Sequence, residues 1–184
     1  MERSTDTVPI YTIGYGSRSI EDFIAVLQQY RIAYLIDVRS IPHSGYKPEF
    51  SKRPLKNRLE RHDIRYVYMG DLIGGKPDDE SCYVNGIVDY EKVKNAAFFQ
   101  RGIERLHTAF SQQQRVALMC SEGKPEQCHR TKLIGATLIT QDLPVVHIDE
   151  NSEEVTQEEV IERITGGQMS LFGAETFHSR KKYQ

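Results

Sequence analysis

The chain has 184 residues, 24 Lys plus Arg against 26 Asp plus Glu, three Cys and no Trp; this length fits one domain that buries roughly 70% of its unfolded surface. A formal net charge of −2 excludes a wholly basic nucleic-acid coat, an extreme acidic tail protein and a cationic membrane binder, so any basic surface must be local. No apolar run reaches the ~18 residues of a membrane span, residues 1–7 hold no signal-peptide core, and three Cys do not make a disulfide framework, which predicts a cytoplasmic protein with reduced thiols and no membrane partner.

An apolar run over residues 8–13 ends at Gly14-Tyr15-Gly16-Ser17 and predicts a strand and a tight turn. After Ser19, the residues Ile20, Phe23, Ile24 and Leu27 fall at i, i+3, i+4 and i+7, an amphipathic helix with Asp22 in capping position. A second strand is expected over 33–38, then a loop bearing Pro and Gly, then a helix from about Ser51 with Leu55 and Leu59 on one face. Residues 64–69 form the third strand. Beyond Gly74-Gly75, residues 89–110 show helical spacing, in one helix or two, with Gly102 as the expected interruption. Residues 115–120 form the fourth strand, a loop with Pro125 leads into a helix over about 126–139, and 144–148 form the fifth strand. A last helix begins near Thr156, spaced from Glu159 as in a capping box, and ends by Gly166-Gly167. Strands separated by helices define an α/β fold: a mostly parallel open sheet of about five strands with helices on both faces, in a single domain over 8–165 followed by a tail over 166–184.

In such a sheet ligands bind beyond the carboxyl ends of the strands, where the strand-to-helix loops gather. The polar residues of this chain follow that rule. Gly14, Tyr15, Gly16 and Ser17 follow the first strand, and Asp37, Arg39, His43 and Ser44 follow the second. Asp71, Gly74 and Gly75 follow the third; Cys120, Glu122, Cys128, His129 and Arg130 follow the fourth. Four loops are therefore expected to converge on one rim.

Thr12-Ile13-Gly14-Tyr15-Gly16, Asp37-Val38-Arg39-Ser40 with Pro42, His43-Ser44, Pro48 and Phe50, Leu72-Ile73-Gly74-Gly75, and Cys120-Ser121-Glu122 continuing to Cys128-His129-Arg130 together resemble the family catalogued as domain of unknown function 488. The resemblance covers about residues 10–148 and implies an α/β fold and these site positions; it carries no established reaction. Tyr15 stands where many members carry His.

The residue types assign roles within that rim. Cys120 and Cys128 are the candidate nucleophiles, Cys128 at an expected helix start where amide dipoles favour a thiolate. His43, Glu122 and His129 are candidates to move protons, and Arg39 and Arg130 to hold an anionic group such as a nucleotide phosphate. The plain alternative is that the Cys residues only pack and that Asp37 and Arg39 form a structural ion pair. Rhodanese and cysteine-phosphatase loops are similar in outline, but they place an Arg a few residues after the Cys, and here the first is Arg130. Zinc on Cys120, Cys128 and His129, with Cys82 as a fourth, is disfavoured: no C-x-x-C pair exists, and adjacent helical ligands point roughly 100° apart. No metal site is therefore expected, and nothing in the sequence names a cofactor.

Charge is unevenly distributed. Residues 39–65 carry eight Lys or Arg against three acids, interleaved with Tyr46, Phe50 and Tyr66, whereas residues 142–164 carry eight acids and one Arg. The first segment suits phosphates and bases, or forms a solvated helix face. In the tail, Gln168-Met169-Ser170-Leu171-Phe172 resembles the pentapeptide with which bacterial polymerases and repair proteins dock on the DNA sliding clamp: Leu171 and Phe172 as anchors, Gln168 for directed hydrogen bonds, Met169 in place of the more usual Leu. The expectation is thus a Cys-dependent transferase or hydrolase of nucleic-acid metabolism with an anion pocket at the strand ends. Its rivals are a non-catalytic nucleotide or nucleic-acid binding module and a structural metal module.

Overall fold

The computed structural model describes residues 7–166 and 177–183. Strands run over Ile10–Gly14 (β1), Tyr34–Asp37 (β2), Arg65–Tyr68 (β3), Tyr83–Val84 (β4), Ile87–Asp89 (β5), Val116–Cys120 (β6), Val145–Ile148 (β7), Glu154–Thr156 (β8) and His178–Lys182 (β9). The main sheet has the order β3-β2-β6-β1-β7-β8, parallel except for the edge strand β8. The five expected strands are therefore present. The three-residue β8 lies below what an alternation pattern can register, and antiparallel pairing adds it to the edge.

Helices over Ile20–Gln29 (α1) and Lys52–Glu60 (α2) cover one face. Gly70–Ile73 (α3), Tyr90–Asn95 (α4), Ala97–Ser111 (α5) and Ala136–Ile139 (α6) cover the other, and Gln157–Thr165 (α7) closes the edge. Helix α1 starts as its sequence predicts, with Ser19 Oγ accepting from the Asp22 amide, and its apolar face, Phe23, Ile24 and Leu27, is buried. Each of those side chains contributes about 1.5–3 kcal/mol relative to exposure. The capping box on Thr156 and Glu159 is formed, and Gly166 ends α7 with a left-handed φ of 64°.

Three expectations change. The 89–110 segment breaks at Ala96, which is extended, and not at Gly102. Gly102 lies inside α5, where a Cβ would sit 2.4 Å from Ile73 Cγ2, so it serves close packing against α3. The expected helix over 126–139 is instead a 3-10 turn at Pro125–Gln127, an extended Cys128, a π-helical stretch at Arg130–Gly135 and the short α6. Lastly, β4, β5 and β9 form a separate antiparallel sheet. Asn85 and Gly86, both at positive φ, turn its hairpin, an Asn-Gly signal present in the sequence. β9 has no apolar pattern. It is held by backbone pairing to β5 and by Ser179, whose Oγ accepts from the Val88 amide, so the end of the expected tail docks on the domain.

Candidate active site

Gly14 pairs with Cys120, and Asp37 pairs with Met119. Because side chains alternate across a strand, this register sets Cys120 on the face covered by α5 and α6, with Val116 and Leu118, and Asp37 on the opposite face, with Leu35. The expected single rim is therefore two polar centres, one on each side of the sheet.

On the α1/α2 face, Asp37 is fully buried and saturated. Its carboxylate accepts from Arg39 Nε at 2.9 Å, Arg39 Nη2 at 2.6 Å, the Arg39 amide at 3.1 Å and the Tyr66 hydroxyl at 2.7 Å. Arg39 Nη2 also donates to the Phe50 carbonyl, and the guanidinium lies 5.5 Å from the centre of the Tyr15 ring. Burial acts to lower the Arg39 pKa, but Asp37 outweighs it and the net shift is upward. These contacts make Arg39 a structural partner of Asp37, with only Nη1 unbonded, and the expected anion-binding role loses its donors. Tyr15 stacks on Phe50 at 4.3 Å, within its own chain.

The first loop likewise serves packing. The amides of Tyr15 and Gly16 donate to the Cys120 and Ser121 carbonyls, which leaves them unavailable to a ligand. A Cβ on Gly14 would fall 1.6 Å from the Glu122 carbonyl oxygen, and one on Gly16 would fall 2.9 Å from Gly123. Ser17 is exposed beside this turn. Arg130, fully buried, donates from Nη1 to the Glu122 carbonyl and from Nη2 to the Gly123 carbonyl, both at 2.9 Å. It fixes the Cys120 loop and does not present a fork to solvent, which corrects its expected role. Ser44 accepts from the Lys47 amide in a turn, and His43 is exposed, with Nδ1 3.3 Å from Ser51 Oγ.

On the α5/α6 face four of the expected residues come together. The Cys120 thiol donates to Glu122 Oε2 at 2.9 Å. His129 Nδ1 lies 3.8 Å from Cys120 Sγ and 3.6 Å from Cys128 Sγ. The expected divergence of Cys128 and His129 is overturned, because Cys128 is extended (φ −119°, ψ 151°) and only His129 enters the π-helical stretch. Cys128 stands where the helical stretch begins: its carbonyl accepts from the Thr131 and Lys132 amides and its Sγ accepts from the Arg130 amide at 3.5 Å, so the expected helix-start position holds, with π-helical in place of α-helical turns after it. Gly75 makes room for the imidazole: a Cβ there would meet His129 Cγ at 2.8 Å. Gly74 packs against Gly70 and Ser40 in the same way.

The electrostatics separate the roles. The neighbouring Cys128 and burial push the Cys120 thiol well above its ordinary pKa. Burial acts to raise Glu122, but the Cys120 thiol, its own backbone and His129 outweigh it and hold the carboxyl below its usual range. Burial acts to lower His129, yet Cys120 and Glu122 outweigh it and raise the imidazole. At neutral pH the centre holds an ionised carboxylate beside a protonated thiol, whose hydrogen bond Glu122 accepts.

A cleft of about 70 Å³ opens beside this centre, lined among others by Tyr90, Cys128, His129, Lys181 and Tyr183. Drug-sized ligands occupy roughly 300–1,000 Å³, so the cleft admits a small group or the tip of a larger molecule. No local pattern in the sequence marks Tyr90, Gln127, Ser179, Lys181 or Tyr183 as neighbours of this centre; three of them come from the β9 segment, which backbone pairing to β5, the Ser179 hydrogen bond and packing of Tyr183 on Tyr83 bring to the rim.

Fold and site together define an α/β protein with a thiol, imidazole and carboxylate centre at the carboxyl end of the central strand of a parallel sheet. A family model described as Domain of unknown function DUF488 matches residues 19–136, well over half of the chain, and the chain belongs to that family. Neither the curated proteins nor the solved structures gave a match. Among the described residues, no helix is long and apolar enough to cross a membrane. The pentapeptide with Gln168, Met169, Leu171 and Phe172 lies outside the described residues.

Proposed function

We propose that the protein is an enzyme whose reacting centre is Cys120, Glu122, Cys128 and His129, performing hydrolysis or group transfer on a nucleotide or a nucleic-acid end. The observation that carries the proposal is a half-buried carboxylate against a buried thiol, 2.9 Å apart, with an imidazole beside both sulfurs at the wall of a cleft. Packing alone does not call for this set, since withdrawing a carboxylate from water even in part is costly and, among the described residues, no Lys or Arg forms an ion pair with it. Lys181 on the rim supplies a cation, and Tyr90 and Tyr183 supply rings beside it.

The test is a panel of nucleoside mono-, di- and triphosphates and short single-stranded DNA and RNA, with products identified by mass spectrometry. The wild-type protein converts at least one class, and Glu122→Gln slows that conversion by about 10²–10⁴-fold, the range of general acid–base catalysis. Undiminished turnover in Glu122→Gln overturns the assignment of the centre. No turnover across the panel overturns the substrate class.

The partner reading rests on sequence: residues 168–172 are proposed as a ligand of the DNA sliding clamp, which would bring the enzyme to DNA. Co-elution with a clamp, lost on joint Leu171→Ala and Phe172→Ala substitution, is the expected result. Equal behaviour of the double variant sinks it.

A further inference from the structure

We propose that Cys120, Cys128 and His129 bind a divalent transition-metal ion of the zinc type, with the fourth coordination position open to the cleft and Glu122 beside it. The proposal rests on the preceding one in taking this centre as the reacting one, and it names the group that the centre holds.

Geometry carries it. The two Sγ atoms and His129 Nδ1 all lie within 4.8 Å of one another. Tetrahedral zinc, with bonds of about 2.3 Å to sulfur and about 2.0–2.1 Å to nitrogen, places a sulfur and a nitrogen ligand about 3.5 Å apart. The observed separations of 3.6 and 3.8 Å need only small closing movements. Without an ion, His129 Nδ1 faces two sulfurs, which are weak hydrogen-bond partners. Charge agrees as well. Two thiolates and a neutral imidazole around a dication form a neutral unit, which a buried site tolerates far better than isolated ions.

Binding balances as follows: two metal–sulfur bonds and one metal–nitrogen bond form as the ion sheds the water ligands they replace, the two S–H bonds break with both protons leaving to solvent, and Glu122 loses the hydrogen bond it accepts from Cys120. The freed carboxylate then faces whatever fills the fourth position. Three protein ligands and an open position are the pattern of catalytic zinc, whereas structural sites are closed by four. Of the expected ligand set, Cys82 is not part of this cluster.

The test uses the full-length chain. Protein purified without added metal is analysed for zinc, and the metal-stripped protein is titrated with cobalt(II). The expected result is about one zinc per chain, with thiolate-to-cobalt charge-transfer absorption and strong visible bands that zinc abolishes. Cys128→Ser loses the charge-transfer intensity of one thiolate, while Glu122→Gln keeps the metal and the tetrahedral spectrum. Thermal melts check that both variants are folded, and Glu122→Gln, which removes no proposed ligand, remains informative if Cys128→Ser is not. The absence of both zinc and a cobalt–thiolate band overturns the proposal, as does a Cys120–Cys128 disulfide in the isolated protein. If the metal is absent but Glu122→Gln abolishes turnover, the metal falls and the reacting centre stands. If the metal binds but Glu122→Gln turns over normally, the ion is structural and the reading of the centre as catalytic falls.

Discussion

Two polar centres sit back to back at the strand ends, one buried and one half-buried beside a cleft, and they differ in saturation. Asp37 receives four hydrogen bonds, three from Arg39 and one from Tyr66. Across the sheet, Glu122 receives a thiol hydrogen bond from Cys120 and one from its own backbone, and His129 turns Nδ1 toward two sulfurs, which are weak partners. A saturated buried pair is a fixture of the fold, whereas an unsaturated cluster of nucleophilic and basic groups beside a cleft marks a site where something else completes the bonding.

The largest effect expected from this contrast is on stability. Arg39→Leu leaves the Asp37 carboxylate buried without its partner and costs about 3–5 kcal/mol in urea unfolding; adding Asp37→Leu recovers part of the loss, because both charges leave together. If Arg39→Leu is near neutral and instead removes activity, Arg39 belongs to the functional site.

His147 provides the next test, as a saturated histidine to set beside His129. Gln157 donates from Nε2 to the Thr131 carbonyl, so its Oε1 accepts from His147 Nε2–H at 2.7 Å, and the Thr12 hydroxyl donates to His147 Nδ1 at 2.7 Å. Burial pushes this imidazole down to about 3. The unfolded chain therefore binds a proton below its ordinary pKa of about 6.5 that the folded chain refuses. Stability attributable to His147 is constant above that pH and falls as pH drops toward 3, by roughly 3 kcal/mol between pH 7 and pH 4. Denaturant unfolding of His147→Gln at the two pH values should show a shallower loss than wild type; equal slopes would place the acid sensitivity elsewhere.

Gly75→Ala sharpens the comparison from the functional side. The added methyl displaces the His129 ring, with a stability cost of about 1–2 kcal/mol for overpacking. It should weaken zinc retention at least tenfold, measured by competition with a chelator. Unchanged retention would detach His129 from the ligand set. The smallest stability effect belongs to His129→Gln, which keeps most of the ring's volume: the metal-stripped variant should unfold within ~1 kcal/mol of wild type while turnover is lost. A large loss of stability would make His129 a second fixture like His147.

Much of the fold was legible because its signals are local. The 3.6-residue period of α1, the N-cap at Ser19, the capping box at Thr156, and the apolar runs of the five parallel strands all correspond to elements of the structure. The second sheet was half legible: Asn85-Gly86 announces the hairpin, but nothing in His178-Ser179-Arg180-Lys181-Lys182 announces a strand, because backbone pairing needs no apolar side chains. Of the candidate site, Cys120, Glu122, Cys128 and His129 are legible from their position after a strand. Lys181 and Tyr183 are not, nor is the structural bonding of Arg39 and Arg130, because saturation of a guanidinium depends on carbonyls distant in sequence, at Phe50 for Arg39, or in an irregular loop, at Glu122 and Gly123 for Arg130.

The sequence by itself determined that this is a parallel α/β domain with its unusual residues after the strands, since helix and strand periods and turn residues act within a few positions of one another. The tertiary structure alone decided which of those residues meet. Pairing Asp37 with Met119 and not with Cys120 shifts the two strands by one residue, and with a side-chain period of two that single step sends Asp37 and Cys120 to opposite faces. The extended Cys128 before a π-helical stretch then turns two adjacent residues toward one point, a convergence that no regular helix would produce.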